Sequence, residues 1–230
     1  MLTKRSDITR NPQINTALRD ALLRKRFITL WQRCVLPGTD SDPAAVWQEL
    51  AQRYGEPHRE YHDNRHLAHC LDQLDLAAGR IHQPDRVELA IWFHDVINEP
   101  RVADNEQQSA ELFRQATAGV MDSSFIDGVV KLILVTTHKQ PPEIPDHQFI
   151  CDIDLASFGC PWKCFEKDSA AVKAEFPGPD EEYYRGKKAF LEALLARPRI
   201  FLSEFFNERY EDQARQNIQR SLSLIDQRRA

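Results

Sequence analysis

The sequence lacks any apolar run that approaches the roughly 20 consecutive residues needed to cross a bilayer. Behind the charged opening, residues 1–5 (MLTKR), there is no apolar region of the kind that signal peptides carry. A surplus of basic residues is missing as well. The formal net charge is −5, which argues against a protein that holds long nucleic acid through its overall field. These absences predict a cytoplasmic protein with no membrane partner and no long nucleic-acid partner, and they leave a small anionic substrate open.

Cysteine occurs without the number or spacing of a disulfide framework or a zinc ribbon. There are five cysteines, an odd number that does not favour disulfides in a chain without an export signal. Cys160 and Cys164 are four positions apart and lack a second pair, which a zinc ribbon requires. We therefore expect buried structural thiols at all five positions: Cys34, Cys70, Cys151, Cys160 and Cys164.

Repeats, low-complexity runs and alternating strand-type segments are also missing, so the regular structure is expected to be helical. The 230 residues are 42% hydrophobic and 28% charged, which suits one globular domain with a sizeable core. Breaks in the last third of the chain fall at residues 177–179 and 197–198. Earlier helices are predicted from about Asn11 to Arg33, through Val46 and Leu50 up to Gly55, from near Asp63 to Ala78, from Pro84 for about 14 residues, from Asp104 or Asn105, and from Phe125 to Thr136.

One predicted helix ends in two metal-ligand side chains. Residues 89–95 (LAIWFHD) are apolar up to His94 and Asp95, so this helix is expected to be packed on all sides. An ionised carboxylate in such a place costs several kcal/mol unless a cation or a donor meets it. A divalent metal is one candidate partner for Asp95, and a hydrogen-bonded core pair is the alternative. Neighbouring side chains on a helix point about 100° apart, so a shared metal would lie beyond the helix edge.

The richest stretch in ligand-type side chains is residues 57–70 (PHREYHDNRHLAHC). His66 lies beside an apolar stripe of its helix, at the boundary of the core, where a neutral imidazole needs a hydrogen bond or a metal. His62 lies one turn earlier and shares its face if the helix has begun by then. His69 continues the helix, so the spacing leaves open which imidazoles face a common site.

A second apolar run that holds carboxylates is residues 149–159 (FICDIDLASFG). In a helix Asp152 and Asp154 point about 160° apart, so one of them faces a given site and the other caps a helix or binds backbone. His138 follows the helix that ends near Thr136 and is either a ligand or a partner of the helix dipole. Glu106 is likewise either a ligand or an acidic residue in the first turn of its helix, where the helix dipole favours it.

The order of these residues resembles the HD superfamily of metal-dependent phosphohydrolases, which is named for an adjacent histidine and aspartate such as His94 and Asp95. Residues 61–66 (YHDNRH) are similar to the tyrosine-histidine-asparagine-x-x-histidine signature of cyclic-nucleotide phosphodiesterases in that superfamily, although Asp63 replaces the asparagine. A closer resemblance is to a bacterial group described as predicted metal-dependent HD phosphohydrolases. The matching pattern spans nearly the whole chain, through residues 57–62, 92–95, 105–110, 137–138, 152–155 and 211–217.

This resemblance implies an all-α fold, a single HD-domain-like helical bundle with a C-terminal helical extension. Within one domain, residues 1–56 would be scaffold helices, 57–160 the metal-site core and 161–230 the C-terminal helices. The ligands would converge from separate helices on one cleft. The implied metal ligands are His66, His94, Asp95 and Asp154.

Asp154 is favoured over Asp152 because the last ligand of the pattern precedes a leucine-type position. One or two divalent ions are implied, and the ligand types are compatible with Mn, Mg, Fe, Co, Ni and Zn. A second ion could be bridged by Asp95 or Asp154. Further candidates for a second ion or for contacts around the first are His138, Glu106 and Asp152.

The implied activity is hydrolysis of a small, nucleotide-like phosphate ester by attack of metal-bound hydroxide, with Asp95 at the reaction centre and His62 as proton donor. Whether the ester is a monoester or a diester stays open, as does the oligomeric state, for which a homodimer is one option. Candidate phosphate-binding residues, each equally an exposed charge, are Arg59, Lys139, Lys187 and Arg215. Lys187 stands where the group carries arginine, which would weaken a bidentate grip.

Two other functions fit the same ligand set. Some relatives use two irons to activate dioxygen, and such a di-iron oxygenase would need further histidines, for which His62, His69 and His138 are available. A binding or regulatory module could instead keep the fold and sense a metal or nucleotide without turnover.

Overall fold

A computed structural model describes residues 16–228, and within this range the regular structure is helical throughout, with ten α-helices and no strand. The predicted all-α fold class is confirmed. The chain divides into two compact units, Met1–Gln140 and Pro141–Ala230. The expected organisation, one HD-type domain with parts at residues 1–56, 57–160 and 161–230, stays a prediction.

Residues 16–140 of the first unit form six α-helices, and the predicted elements agree with them closely apart from the length of α4. Asp63, which was predicted near a helix start, is the N-cap of α3 and accepts a hydrogen bond from the amide of Arg65. Gly55 follows the last turn of α2, as expected. The helices are α1 (Thr16–Cys34), α2 (Pro43–Tyr54), α3 (Asn64–Ala77), α4 (Pro84–Phe93), α5 (Asn105–Thr117) and α6 (Ser123–Val135).

The core of the first unit is built around α4. Every side chain of α4 from Leu89 to Phe93 is at most 1% exposed, which confirms that this helix is packed on all sides. Trp92 forms edge contacts with Phe27 of α1 and Trp47 of α2, with ring centroids 5.4 and 6.0 Å apart. Because the second half of α4 is enclosed by its neighbours, the residues that follow it occupy a fixed position.

The length predicted for α4 is wrong. About 14 residues were expected, but the helix ends at Phe93 after ten. The amide of Ile97 donates to the hydroxyl of Ser109 and not to the carbonyl oxygen of Phe93, so the helical hydrogen-bond ladder does not continue. Just beyond the helix, the guanidinium of Arg59 donates to the carbonyl oxygen of Asp95 at 2.6 Å. A cation at the C-terminal end of a helix is also favoured by the helix dipole.

The second unit contains α7 (Pro145–Leu155), α8 (Trp162–Ala174), α9 (Asp180–Leu195) and α10 (Glu204–Gln227). The breaks predicted at residues 177–179 and 197–198 lie between these helices. A short 3₁₀ turn, Ala156–Gly159, packs against α10. A Cβ at Gly159 would lie 2.4 Å from Cβ of Tyr210, so the close approach needs glycine. Asn217 of α10 donates to the carbonyl oxygens of Phe158 and Cys160, which fixes the turn on the helix.

Two sequence-based predictions fall outside the described residues. They are the helix start at Asn11 and the charged opening at residues 1–5. Between residues 16 and 228, no helix combines the length and the apolar character that crossing a membrane requires.

Candidate metal centre

The His94–Asp95 pair lies directly after the last turn of α4, at the place that the sequence predicts. His94 is the C-cap residue, and its amide donates to the carbonyl oxygen of Ala90. The imidazole is buried, with 2% of the side chain exposed, whereas the carboxylate of Asp95 is 21% exposed. The pair therefore combines a buried imidazole with a carboxylate that a small molecule can approach.

The tautomer of His94 follows from its hydrogen bond to the backbone. Nδ1 lies 2.8 Å from the carbonyl oxygen of Ile91, which can only accept, so Nδ1 carries the proton. In a neutral ring Nε2 then presents a lone pair, and it lies 3.0 Å from Oδ2 of Asp95, which also presents lone pairs. Two facing acceptors repel each other unless a proton or a metal ion lies between them. A backbone contact at the other ring nitrogen is the usual support of a metal-binding histidine.

Helix α3 supplies the second imidazole. Nε2 of His66 lies 3.4 Å from the same Oδ2 of Asp95, and the rings of His66 and His94 are 5.6 Å apart between centroids. Cys70 follows His66 by one turn and brings its sulfur to 3.6 Å from Nε2 of His66. The ligand atoms of His66, Cys70 and His94 all lie within 4.8 Å of one another, so this buried group could hold a metal ion.

The separations suit coordination to a single ion. Two ligand atoms bound about 2.1 Å from one metal lie roughly 3.0–3.4 Å apart at octahedral to tetrahedral angles. The two nitrogen–oxygen separations at Asp95, 3.0 and 3.4 Å, span this range. The longer separation between sulfur and nitrogen suits the longer bond, about 2.3 Å, that a thiolate makes to zinc.

Electrostatics favour the ionised form of Asp95. Burial alone would raise the pKa of this carboxyl, but the imidazoles of His94, His62 and His66 around it hold the pKa well below its usual range. Tyr54 lies nearby and donates its hydroxyl to the carbonyl oxygen of Trp92. Burial raises the pKa of Tyr54 to about 12, so it stays a neutral donor.

His62 precedes the N-cap of α3 and is half-buried. Its ring centroid lies 5.7 Å from that of His66, and Tyr61 packs against both rings. The expected closeness of His62 and His66 is therefore found, although only His66 belongs to the helix. Arg59 joins this segment to the end of α4, because the same guanidinium nitrogen donates to the carbonyl oxygens of His62 and Asp95.

The surroundings of Arg59 differ from those expected of a phosphate-binding residue, the role that the sequence suggested. Its remaining donors reach Glu56 and the carbonyl oxygen of Val96, and the side chain has no exposed surface. A phosphate ligand needs donors that face the substrate, so the phosphate role of Arg59 is left without support. What the structure shows instead is a buried cation that holds two backbone segments together.

The other candidates of the first unit are not members of the metal-capable group in the part of the chain that is described. Glu106 is half-buried in the first turn of α5. His138 is half-buried beyond the end of α6, with a left-handed φ of 52°. Lys139 is exposed. His69, on α3, is half-buried and does not belong to the group either.

In the second unit, Asp152 and Asp154 both lie on α7, as predicted. Asp152 is completely buried and accepts hydrogen bonds from the amides of Leu202 and Ser203 and from the hydroxyl of Ser203. It is therefore the carboxylate that binds backbone, one of the two roles expected from the helical spacing. Asp154 is half-buried, and its role as a ligand stays a prediction.

Of the two basic candidates in the second unit, Arg215 is engaged by protein oxygens. It donates to Glu211 and to the carbonyl oxygens of Leu195, Arg197 and Pro198, which leaves its phosphate role without support. Lys187 lies on α9 and lines a cavity of this unit.

Sequence reasoning missed Cys70 and Tyr54. Cys70 was expected to be a structural thiol, although its i+4 spacing from His66 already placed both on one face. Tyr54 carried no signal, because its contact with Trp92 joins residues 38 positions apart.

Comparisons with known proteins do not assign the chain to a family. No protein-family model, no curated protein and no solved structure matches it. Membership of the HD superfamily, which the residue pattern predicts, therefore stays a prediction. The metal-capable group of buried side chains is the firmest basis for an assignment of function.

Proposed function

We propose that this chain is a metal-dependent phosphohydrolase of the HD superfamily that acts on a small, nucleotide-like phosphate ester. The observation that supports it best is the convergence of Nε2 of His66 and Nε2 of His94 on Oδ2 of Asp95, each within 3.4 Å of that oxygen. The hydrogen bond from Nδ1 of His94 to the carbonyl oxygen of Ile91 leaves Nε2 facing Asp95. When bound, a divalent ion would supply Lewis acidity toward a phosphoryl oxygen and a water of lowered pKa.

Other side chains of the site have the remaining roles in this proposal. His62 stands beside the proposed ligands and is half-buried, so it can hold a proton at the edge of the site and pass it to the leaving oxygen. Arg59 holds the backbone of His62 close to that of Asp95, because it donates hydrogen bonds to both carbonyl oxygens. The partly exposed edge of Asp95 gives the substrate its approach. Asp154 is the fourth ligand in this proposal, on the strength of the sequence resemblance.

Elemental analysis and a phosphoester panel test the proposal together. The purified protein is expected to contain a divalent metal, and His94→Ala and Asp95→Ala are each expected to lose both metal and turnover. His62→Ala should keep the metal and lose turnover by about 10²–10⁴-fold, the usual contribution of a general acid. His82→Ala, which removes an exposed histidine of the same unit, is the matched control and should change neither.

The outcomes separate the three functions. Full metal occupancy in both His94→Ala and Asp95→Ala would defeat the ligand assignment. Bound iron with dioxygen consumption and no phosphoester turnover would favour the oxygenase. Metal binding in the wild-type chain with no turnover of any ester would favour a sensing module.

A further inference from the structure

The second unit contains a cavity of about 250 Å³ whose lining comes from α8, α9 and the end of α10. This volume lies just below the range of about 300–1,000 Å³ that is usual for ligand pockets, so it suits a small metabolite. Its walls include four aromatic rings, those of Trp162, Phe165, Tyr183 and Tyr184. A flat ring can pack against such walls, whereas a flexible polar chain would leave them poorly covered.

The basic side chains of the cavity outnumber the acidic ones. Lys173, Lys187 and Arg228 face a lining in which Glu166 is the acidic member among the described residues. Lys173 is neutralised by Asp180 at 2.7 Å. Within residues 16–228, no carboxylate forms an ion pair with the side chains of Lys187 or Arg228, so the lining offers two cations for a ligand beside the one carboxylate of Glu166.

These two cations rest on aromatic rings. The ammonium of Lys187 lies 5.7 Å from the centroid of Tyr183, and the guanidinium of Arg228 lies 5.0 Å from that of Tyr184. Such contacts hold the cations in place but do not neutralise their charge. Burial, with a further contribution from Arg228, lowers the pKa of Lys187 to about 8, which marks a dehydrated charge that an anion would stabilise.

We propose that this cavity is a binding site for a small phosphate monoester that carries a flat ring, of the size of a mononucleotide. Lys187 and Arg228 bind the phosphate, and the aromatic walls cover the ring. A phosphate monoester carries nearly two negative charges at neutral pH, which matches two cations, whereas a carboxylate would match one. The cavity is lined by the second unit alone, and the proposal does not rest on the function proposed for the metal centre.

Tryptophan fluorescence gives a local measurement. Trp162 is the one tryptophan of the second unit, since the other three are Trp31, Trp47 and Trp92. The full-length protein is titrated with a non-hydrolysable phosphonate analogue of adenosine monophosphate, with adenosine and with inorganic phosphate. The phosphonate is expected to change the emission and to bind at least tenfold more tightly than either fragment. Trp162→Phe should lose most of the fluorescence change.

Neutral variants identify the phosphate-binding residues. Lys187→Met and Arg228→Gln are each expected to weaken binding of the phosphonate at least tenfold. Lys188→Met is the matched control, because Lys188 is the next residue, is paired with Asp226 and does not line the cavity; its affinity should stay within twofold of the wild type. Lys187→Met removes a dehydrated charge, so its Tm should not fall, and a loss of binding cannot then be ascribed to unfolding.

His94→Ala separates this site from the metal centre and should bind the phosphonate as the wild type does. Binding that survives Lys187→Met but disappears in His94→Ala would place the ligand at the metal centre and overturn the proposal. Equal loss in Lys187→Met and Lys188→Met would overturn it too, because a general effect of charge would then explain the affinity.

Discussion

Arg59 is the single residue on which the alignment of the proposed catalytic groups depends most. Its guanidinium has no exposed surface, and it donates to backbone oxygens both beside the proposed proton donor and beside the proposed ligand Asp95. Hydrogen bonds from a charged donor contribute about 1.5–3 kcal/mol each, and breaking them inside the protein is costlier than at its surface. Arg59 is a positioning residue, because it acts through the segments that it joins.

Arg59→Lys should keep the charge but lose the fork that spans three carbonyl oxygens. We expect a loss of about 2 kcal/mol in the free energy of unfolding, which corresponds to roughly 4–8 °C in Tm. At a temperature where the variant is folded, kcat should fall about tenfold or more, with KM and metal content little changed. Arg114→Lys, at an exposed ion pair with Asp127 in the same unit, is the control. An unchanged kcat would remove Arg59 from the positioning role.

Cys70 determines how strongly the proposed metal site prefers metals that bind sulfur well. A sulfur 3.6 Å from Nε2 of His66, added to two imidazoles, favours a transition metal such as zinc, iron or cobalt over magnesium. Cys70→Ser should therefore weaken zinc binding more than manganese binding, measured by competition with a chelator. Cys34→Ser, at a half-buried cysteine of the same unit, should leave both affinities unchanged. Equal effects on zinc and manganese would show that the thiol is only a neighbour.

At the scale of elements, the two carboxylates of α7 have different surroundings two residues apart. Asp152 accepts the amides of Leu202 and Ser203 and the hydroxyl of Ser203, directly before α10 begins at Glu204. Loss of this carboxylate would leave buried donors unsatisfied at a helix N-terminus. Asp154 has a half-buried position and a predicted role in metal binding.

Asp152→Ala is expected to lower the free energy of unfolding by about 3 kcal/mol, or roughly 6–12 °C in Tm. Asp154→Ala should leave Tm of the metal-free protein within about 2 °C of the wild type, because surface and half-buried substitutions are usually mild. The same variant should lower the bound metal measured by elemental analysis. A full complement of metal in Asp154→Ala would remove it from the ligand set.

The helix ends show what the sequence could and could not predict. Capping and breaker residues such as Asp63, Gly55 and Pro84 act locally, so the predicted bounds agree with the structure. The early end of α4 was not predictable, because the amide of Ile97 leaves the helical ladder for Ser109, which is 12 positions away in the chain. Contacts at that separation leave no periodic signal in the sequence.

At the scale of the whole molecule, the same distinction explains which parts of the site were found. His66, His94 and Asp95 were predicted because ligand-type side chains beside apolar helical faces are conspicuous. The engagement of Arg59 and Arg215 by carbonyl oxygens was not predicted, because a basic residue in a sequence looks the same whether it faces solvent or backbone. The division after residue 140 was not predicted, although Pro141, Pro142 and Pro145 interrupt the helical pattern there, because prolines mark a loop whether or not a compact unit ends at it.

Metal binding should stabilise the whole chain if the proposed ligands are correct. A ligand present at about 100 times its Kd adds about 2.7 kcal/mol to the free energy of unfolding, which is roughly 5–11 °C in Tm for a chain of this size. Thermal unfolding with and without a chelator measures the shift. His94→Ala should show no difference between the two conditions. A wild-type Tm that is the same with and without the chelator would contradict a buried metal site.

The left-handed backbone at His138 has a practical consequence for mutational scanning. At a φ of 52°, any residue with a Cβ is strained, and asparagine and glycine tolerate the conformation best. Alanine would delete the imidazole and keep the strain, and valine or isoleucine would add steric conflict. Asparagine is the substitution that isolates the chemistry of the ring, since it removes the imidazole and suits the same left-handed backbone.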